Sequence, residues 1–537
     1  MTTTELPAAL HADAIAAACE VLKAAVALPV EQYESNPALR PLRQAIGPLL
    51  ARSLGRTYDG AGPQGKDKDA ARKAHKRQAN RHRQQAVAAE RAAADRSALR
   101  AQRLARLAAS AAEGDAPRIA DGPATVPTPA LEDESDAGGA AWSLACCYAC
   151  RTRFPATATH AFYGAAFCPA CAQLNFEKRT QTADLRGRGA LVTGARVKIG
   201  FRVALKLLRA GATVVATSRF PADCARRFAA EPDADDWRDR LRCVGCDFRD
   251  LGAVEALCAA VPELLGCGLD VLVNNACQTV RRPPQYYAET VAREAKLRKA
   301  IGNASLPLLE GASEDIEVTE DVALMRTWTA KAPTTSDPAL RALLCVAPGD
   351  DVRNDAAFPR GLRDANADLG EQLDLRRANS WTSKLEDVST PELAEVFAIN
   401  ALAPFVINSK LIPVLKDGAS DERRRFVINV SAMEGKFYRQ KQPTHPHTNM
   451  AKAALNMMTK TSAAALAESY VFMTSVDTGW VNDEKPNHLA ADHASKHNFQ
   501  TPIDEIDAAS RILDPVFGGH DPPLHGVFLK DYEETEW

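Results

Sequence analysis

Between residues 10 and 56 apolar side chains recur at helical spacing: Ala14, Ile15, Ala18, Val21, Leu22 and Ala25, then Leu42, Ile46, Leu49 and Leu50 after Pro41. That period predicts a small helical unit over residues 1–58. From Gly60 to about Gly114 the apolar face disappears. Arg72, Lys73, Lys76, Arg77, Arg81 and Arg83, then Arg100, Arg103 and Arg106, sit among Ala and Gln. Such a segment forms helix readily but has little to bury, and no aromatic residue is interleaved for base stacking. It reads as a solvated, partly helical linker rather than as a nucleic-acid or membrane contact. Residues 116–140, rich in Pro, Gly, Asp and Glu, are expected to be disordered, which completes a linker over 59–140.

The pattern changes again at Gly189-Ala-Leu-Val-Thr-Gly194, a short buried-strand run that enters a turn. Ala195-Arg-Val-Lys-Ile-Gly200 follows, and then a helix with Val203, Leu207 and Leu208 on one face, ended by Gly211. Thr213-Val-Val-Ala-Thr217 is a second strand, Cys243-Val-Gly-Cys-Asp247 a third, and Leu269-Asp-Val-Leu-Val-Asn-Asn-Ala-Cys277 a fourth. Strand, glycine turn, helix and strand in that order make a β-α-β unit. The turn gives a pyrophosphate close backbone approach and free N–H donors, so the unit predicts a dinucleotide site.

Composition narrows the class. The 537 residues are 46% hydrophobic and 25% charged, which excludes a fibrous or wholly disordered chain. The 66 basic and 68 acidic residues leave a net charge of −2, without the field of a dedicated nucleic-acid binder. The N-terminus has no basic-then-apolar signal, and no run of about 18 uncharged apolar residues occurs, so a soluble cytoplasmic protein with no membrane association is expected. In that compartment the 13 cysteines read as free thiols or metal ligands. Cys147-x-x-Cys150 and Cys168-x-x-Cys171 stand 17 residues apart, with Cys146 and His160 as further donors nearby. Two paired thiolates at this spacing complete a tetrahedron, so a structural Zn²⁺ module is expected over 141–182. Its short distance from Gly189 suggests that it braces the next domain.

Taken together, the stretch from about residue 186 to 537 resembles the short-chain dehydrogenase/reductase family. Thr193-Gly194-x-x-x-Lys198-Ile199-Gly200 is similar to its glycine turn, Asp247 to its adenine-contacting acid, and Asn274-Asn275-Ala276-Cys277 to its N-N-A-G strand. Phe397-Ala-Ile-Asn400 resembles the helix with the active-site Asn, Phe426-Val-Ile-Asn-Val-Ser431 the strand with the catalytic Ser, and Lys452-Ala-Ala-Leu-Asn456 the helix with the catalytic Lys. Asp477-Thr478-Gly479 resembles the P-G turn. The resemblance implies a doubly wound, mostly parallel α/β Rossmann-type sheet over 183–537, a small-molecule substrate and a homodimer or homotetramer. Arg196, Lys198 and the Thr217-Ser218-Arg219 strand end, where an NAD site would place a carboxylate, favour NADP(H) over NAD(H).

Two departures stand out. The family's tyrosine precedes the lysine by four residues, and there this chain has Thr448. An aliphatic hydroxyl is a far weaker acid than a phenol, so His445, His447 and Tyr438 become candidate replacements, and Ser431 is followed by Ala432 rather than by a second serine. About 125 residues separate Asn275 from Asn400, where the family has a few tens, which marks an insertion over 279–390 at the mouth of the site. The expected function is an NADP(H)-dependent oxidoreductase acting on a carbonyl, alcohol or activated double bond. The alternative is a catalytically impaired NAD(P)-binding scaffold or redox sensor that binds a protein partner through the zinc module or the insertion.

Overall fold

Alternation of side chains explains the sheet. In the computed structural model Ala190 and Val192 of strand β3 (Gly189–Val192) face one apolar cluster while Leu191 faces another. Val214 and Ala216 against Val215 repeat this in β4 (Thr213–Ser218), and Val271 and Val273 against Leu272 in β6 (Val271–Asn274). Both faces are apolar, as a sheet covered on both sides requires. The structure describes residues 12–26, 97–111 and 144–537, apart from 157, 302–336, 365–370, 439 and 498–499, together with a few isolated residues before 97. The 116–140 linker and the middle of the insertion lie outside the described residues.

Two compact units divide the chain, Met1–Ala86 and Val87–Trp537. The first contains helix α1 (Ala12–Val26). Among the described residues of the second, the first elements are α2 (Ala98–Ala111), the hairpin β1 (Leu144–Cys146) and β2 (Arg153–Pro155), and α3 (Pro169–Thr180). Its eight-stranded sheet has the order β5-β4-β3-β6-β7-β8-β9-β10, where β5 is Leu241–Gly245, β7 Arg425–Ser431, β8 Val471–Asp477, β9 Phe528–Lys530 and β10 Glu533–Thr535. All neighbours are parallel except β9 and β10. Helices α4 (Lys198–Arg209), α5 (Pro221–Ala229) and α12 (Glu505–Phe517) cover one face. On the other lie α6 (Leu251–Leu265), α9 (Ala403–Lys416) and α10 (Pro446–Ala467). The expected doubly wound fold is therefore present.

Between β6 and α8 (Thr390–Phe397) the insertion contributes α7 (Pro284–Ile301), and α11 (Asn487–His497) follows β8. Thr390–Lys416 is long and apolar enough to cross a membrane by length and composition. Here Ala403, Ile407, Leu411 and Leu415 are buried in the second cluster, which is what a core helix does.

The cysteine segment is anchored to the sheet domain by charge. Arg179 of α3 reaches Asp504 at 2.7 Å and Asp507 at 2.9 Å, Lys178 reaches Asp514 at 2.5 Å, and the Tyr163 hydroxyl donates to Asp507 at 2.6 Å. Both Asp504 and Asp507 are fully buried, so these ion pairs fix the module's orientation as well as its attachment.

Candidate active site and metal centre

Cys147 and Cys150 lie on a tight knuckle between β1 and β2. The Cys147 amide donates to the Thr152 carbonyl at 3.0 Å, and Arg151, at φ +63, donates to the Cys147 carbonyl at 3.2 Å. Cys168 caps α3 and Cys171 lies in its first turn. The four sulfurs lie within 4.8 Å of one another, with Cys150 and Cys168 3.7 Å apart. Thiolates at about 2.3 Å around a tetrahedral zinc would be about 3.8 Å apart, so the set fits that ion. Hydrogen bonds from the Thr152 hydroxyl and amide lower the Cys150 thiol to about 6, whereas burial raises the thiols of Cys147 and Cys171, so the fit to a metal rests on the sulfur geometry. Cys146 and His160, the further donors in the sequence, are outside the cluster: the Cys146 thiol meets the Arg151 carbonyl, and His160 Nδ1 accepts the Phe162 amide at 3.1 Å.

Past β3 the chain turns through Thr193 and Gly194. Gly194, at φ +67, presses on Ala276, and Gly200 presses on the Gly194 carbonyl and the Asn275 amide, so neither has room for a side chain. Thr193 Oγ1 accepts the amides of Asn275 and Ala276, both at 2.9 Å, and Asn275 Nδ2 donates to the Thr193 carbonyl at 2.9 Å. Asn274 Nδ2 donates to Asn408 and Asn429. These residues brace the turn from behind. Lys198, in the glycine position, adopts φ +54 at a cost of about 1 kcal/mol, with no hydrogen bond or ion pair to a described residue.

The other expected cation is corrected. Arg196 is buried on Asp223 at 2.7 Å and on Glu371 of the insertion at 2.5 Å, so its charge serves the fold rather than a phosphate. Asp247 is likewise engaged, since its carboxylate accepts from Nε and Nη2 of Arg249. Ser218 Oγ accepts the Phe220 amide at 3.0 Å, and the Arg219 guanidinium lies 4.4 Å from the Tyr287 ring centroid. Phe220, Val291, Ala339 and Leu343 form a cluster that brings the insertion over the end of β4.

At the C-terminal ends of β7 and β8 opens a cavity of about 550 Å³. Ile199, Asn275, Ser431, Thr448, Lys452, Thr478 and Gly479 line it, so seven of the expected site residues meet there. Lys452 Nζ donates to the Val430 carbonyl at 2.8 Å, and Ser431 Oγ donates to Asn456 Oδ1 at 2.6 Å. The buried Thr448 hydroxyl has no hydrogen-bond partner among the described residues. An unsatisfied hydroxyl on the cavity wall, with Lys198 at the turn, fits the nicotinamide and phosphate portions of a dinucleotide.

Neither histidine lines this cavity. His445 precedes α10 in the left-handed region at φ +46, ahead of Pro446 at the first helical position. Its ring stacks on Trp381 at 3.9 Å, its Nδ1 contacts the Trp381 carbonyl, and burial lowers its pKa. His447 is buried with Nε2 3.5 Å from Glu392 of α8, while Tyr438 is 47% exposed beside Lys436. Asn400 is outside as well. It sits in a π-turn, Ala398–Leu402, and exchanges hydrogen bonds with the Gln278 backbone at 2.7 and 3.1 Å, shaping the chain after β6. Tyr148 of the cysteine knuckle, Glu434 and Lys530 line the cavity although the sequence did not single them out, and they join Asp477 there. Burial raises the Glu434 pKa; for Lys530 burial acts against its charge, but Asp477 and Asp531 outweigh it and raise its pKa.

Residues 188–295 match the family model described as short chain dehydrogenase. Among curated proteins the chain is similar to an uncharacterized protein of Acanthamoeba polyphaga mimivirus, 29% identical over 386 residues that make up 70% of this chain and 72% of that one. It is also similar to a fatty acyl-CoA reductase of Mycobacterium tuberculosis, 34% identical over 103 residues, which cover 19% of this chain and 34% of that protein. Among solved structures, a short chain dehydrogenase from Burkholderia cenocepacia in complex with NADP aligns at 18% identity over 64% of this chain and 96% of that one, with a TM-score of 0.40.

Proposed function

We propose, on the premise that this chain is an atypical short-chain dehydrogenase/reductase, that it is an NADP(H)-dependent oxidoreductase acting on a carbonyl, alcohol or activated double bond. The observation that carries the reading is the meeting of Ser431, Thr448 and Lys452 in one cavity with Asn275, Thr478 and Gly479. A bound nicotinamide would supply or accept the hydride. Lys452, fixed by the Val430 carbonyl, points two further donors at a ribose hydroxyl or substrate oxygen. Ser431, oriented by Asn456, and Thr448 line the reacting side. Glu434, which burial pushes toward its neutral form, takes the proton-donor role in place of the phenol. NADP(H) is preferred over NAD(H) because, among the described residues, Lys198 has no partner and Arg219 rests on the Tyr287 ring with no carboxylate against it. In the same reading the four cysteines hold a structural zinc, with no ligand position left for water.

Thr448 in the phenol's position favours the second reading, a dinucleotide-binding protein without turnover. One experiment separates them: titration with NADPH and NADH by nicotinamide fluorescence, followed by a panel of aldehydes, ketones and enones. Binding with turnover supports the oxidoreductase; binding without turnover of any panel member supports the second reading. Failure to bind either dinucleotide rejects both.

A further inference from the structure

The cysteine module touches the cavity through two separate routes. In the first, Tyr148 lies between Cys147 and Cys150 on the knuckle, lines the cavity, and accepts the Trp480 amide on its hydroxyl at 2.8 Å. In the second, the Cys171 carbonyl accepts from Asn175 Nδ2 at 2.8 Å, and Asn175 Oδ1 accepts from Arg511 Nη2 at 3.0 Å. Arg511 Nη1 then donates to the Thr478 carbonyl at 3.0 Å. Asn175 and Arg511 are 1% and 2% exposed, so water does not compete for these bonds. Both routes end on the turn Thr478-Gly479-Trp480, one from each cysteine pair. Gly479, at φ +85 with the Arg511 guanidinium against its Cα, leaves no space for a side chain that would hold the turn otherwise.

We propose that the four-cysteine site sets this turn, so that metal occupancy and NADP(H) binding in the cavity are coupled, with Tyr148 and Asn175 as positioning residues. The inference rests on the dinucleotide reading above. An ion holds the four thiolates in fixed register; without it the two knuckles can separate, and the acceptor for the Trp480 amide and the Asn175 acceptor of Arg511 move with them, leaving Arg511 to its second partner, Asp531 at 2.7 Å. The turn then loses both restraints while the sheet beneath it stays intact. Linkage makes the effect reciprocal: whatever zinc does to NADPH affinity, NADPH does to zinc affinity.

The test uses the full chain, loaded with one equivalent of zinc or stripped with a chelator, and has two readouts. NADPH affinity is expected to fall about 5- to 150-fold on stripping, and zinc affinity to rise by the same factor with NADPH present. Amide exchange of the peptide containing residues 478–484 is expected to accelerate on stripping, with or without NADPH. Should stripping unfold the module, the zinc-loaded double variant Tyr148→Phe/Asn175→Ala decides. It is expected to retain its zinc while showing the faster exchange and weaker NADPH binding. Unchanged exchange and NADPH affinity in that variant overturn the proposal. If wild type fails to bind NADPH while exchange of the turn still follows zinc, the dinucleotide reading fails and the control of the turn stands.

Discussion

Thr448 presents a hydroxyl to the cavity wall that no described residue receives, although the residue is 3% exposed. A buried hydroxyl in that state costs about 1–3 kcal/mol, so Thr448→Val, which keeps the shape and removes the polar atom, is expected to stabilise the ligand-free protein by about 1 kcal/mol. Thermal denaturation without and with NADPH checks this: the variant should melt higher alone and gain less from the ligand. Thr448→Tyr tests the other side of the same residue. A phenol one helical turn before Lys452 would give the cavity a stronger acid, and turnover is expected to rise at least 10-fold, read in the same substrate panel. Lys452→Met, which fills the volume but donates nothing to the Val430 carbonyl or to a ligand, should lower turnover by about 100-fold or more in steady-state assays. Thr448 and Lys452 were legible in the sequence because their spacing along one helix is local. Tyr148 was not, because its partner Trp480 lies 332 residues away and nothing in a knuckle sequence says which way its central side chain turns.

The insertion is attached to the dinucleotide-binding half by charge. Asp223 of α5 and Glu371 share the guanidinium groups of Arg196 and Arg227, all of them buried or nearly so. Burial alone would raise the Glu371 pKa, but the two arginines outweigh it and lower it to about 2. An unfolded glutamate titrates near 4.3, so this depressed group contributes stability that is fully present above about pH 5 and is lost as pH falls toward 2. The contribution is on the order of 3 kcal/mol. Glu371→Gln should therefore melt lower than wild type at about pH 6, and the gap should close at about pH 2, as followed by thermal melts across that range. A constant gap would assign the attachment to packing instead. The elements themselves were legible: the strands from Gly189 to Asn274 alternate between two apolar faces, and glycine turns mark their ends. The role of Arg196 was not, since a cation in a glycine loop reads as a phosphate contact until Glu371, 175 residues further on, occupies it.

Over the whole molecule, the order of motifs was enough to give a doubly wound, mostly parallel sheet, although not its strand order. That the cysteine module braces the sheet domain was legible from its short distance to Gly189, but the face it docks on was not, because that depends on ion pairs from α3 to α12 and its N-cap Asp504, more than 300 residues apart in the chain. The same holds for α2. Read from sequence it belongs to a basic linker, yet Arg103 donates to the Thr501 and Ile503 carbonyls at 2.5 and 2.7 Å. Leu99, 4% exposed, joins Phe154, Phe162 and Phe167 in the module's apolar cluster, and the Ala98 and Leu99 amides donate to the Ala161 and Phe162 carbonyls. These contacts divide the chain's first hundred residues functionally. Every cavity-lining residue and all four clustered thiolates lie in Val87–Trp537, so a chain beginning at Val87 is expected to keep its zinc and its NADPH affinity within about 2-fold. A chain beginning at residue 112 loses the Leu99 burial and two charge-assisted hydrogen bonds to carbonyls that precede α12. It should be destabilised by about 2–5 kcal/mol, with the module rather than the sheet melting first. Differential scanning calorimetry of both truncations with zinc bound distinguishes the cases: an identical transition for the shorter chain would return α2 to the role of a solvated linker.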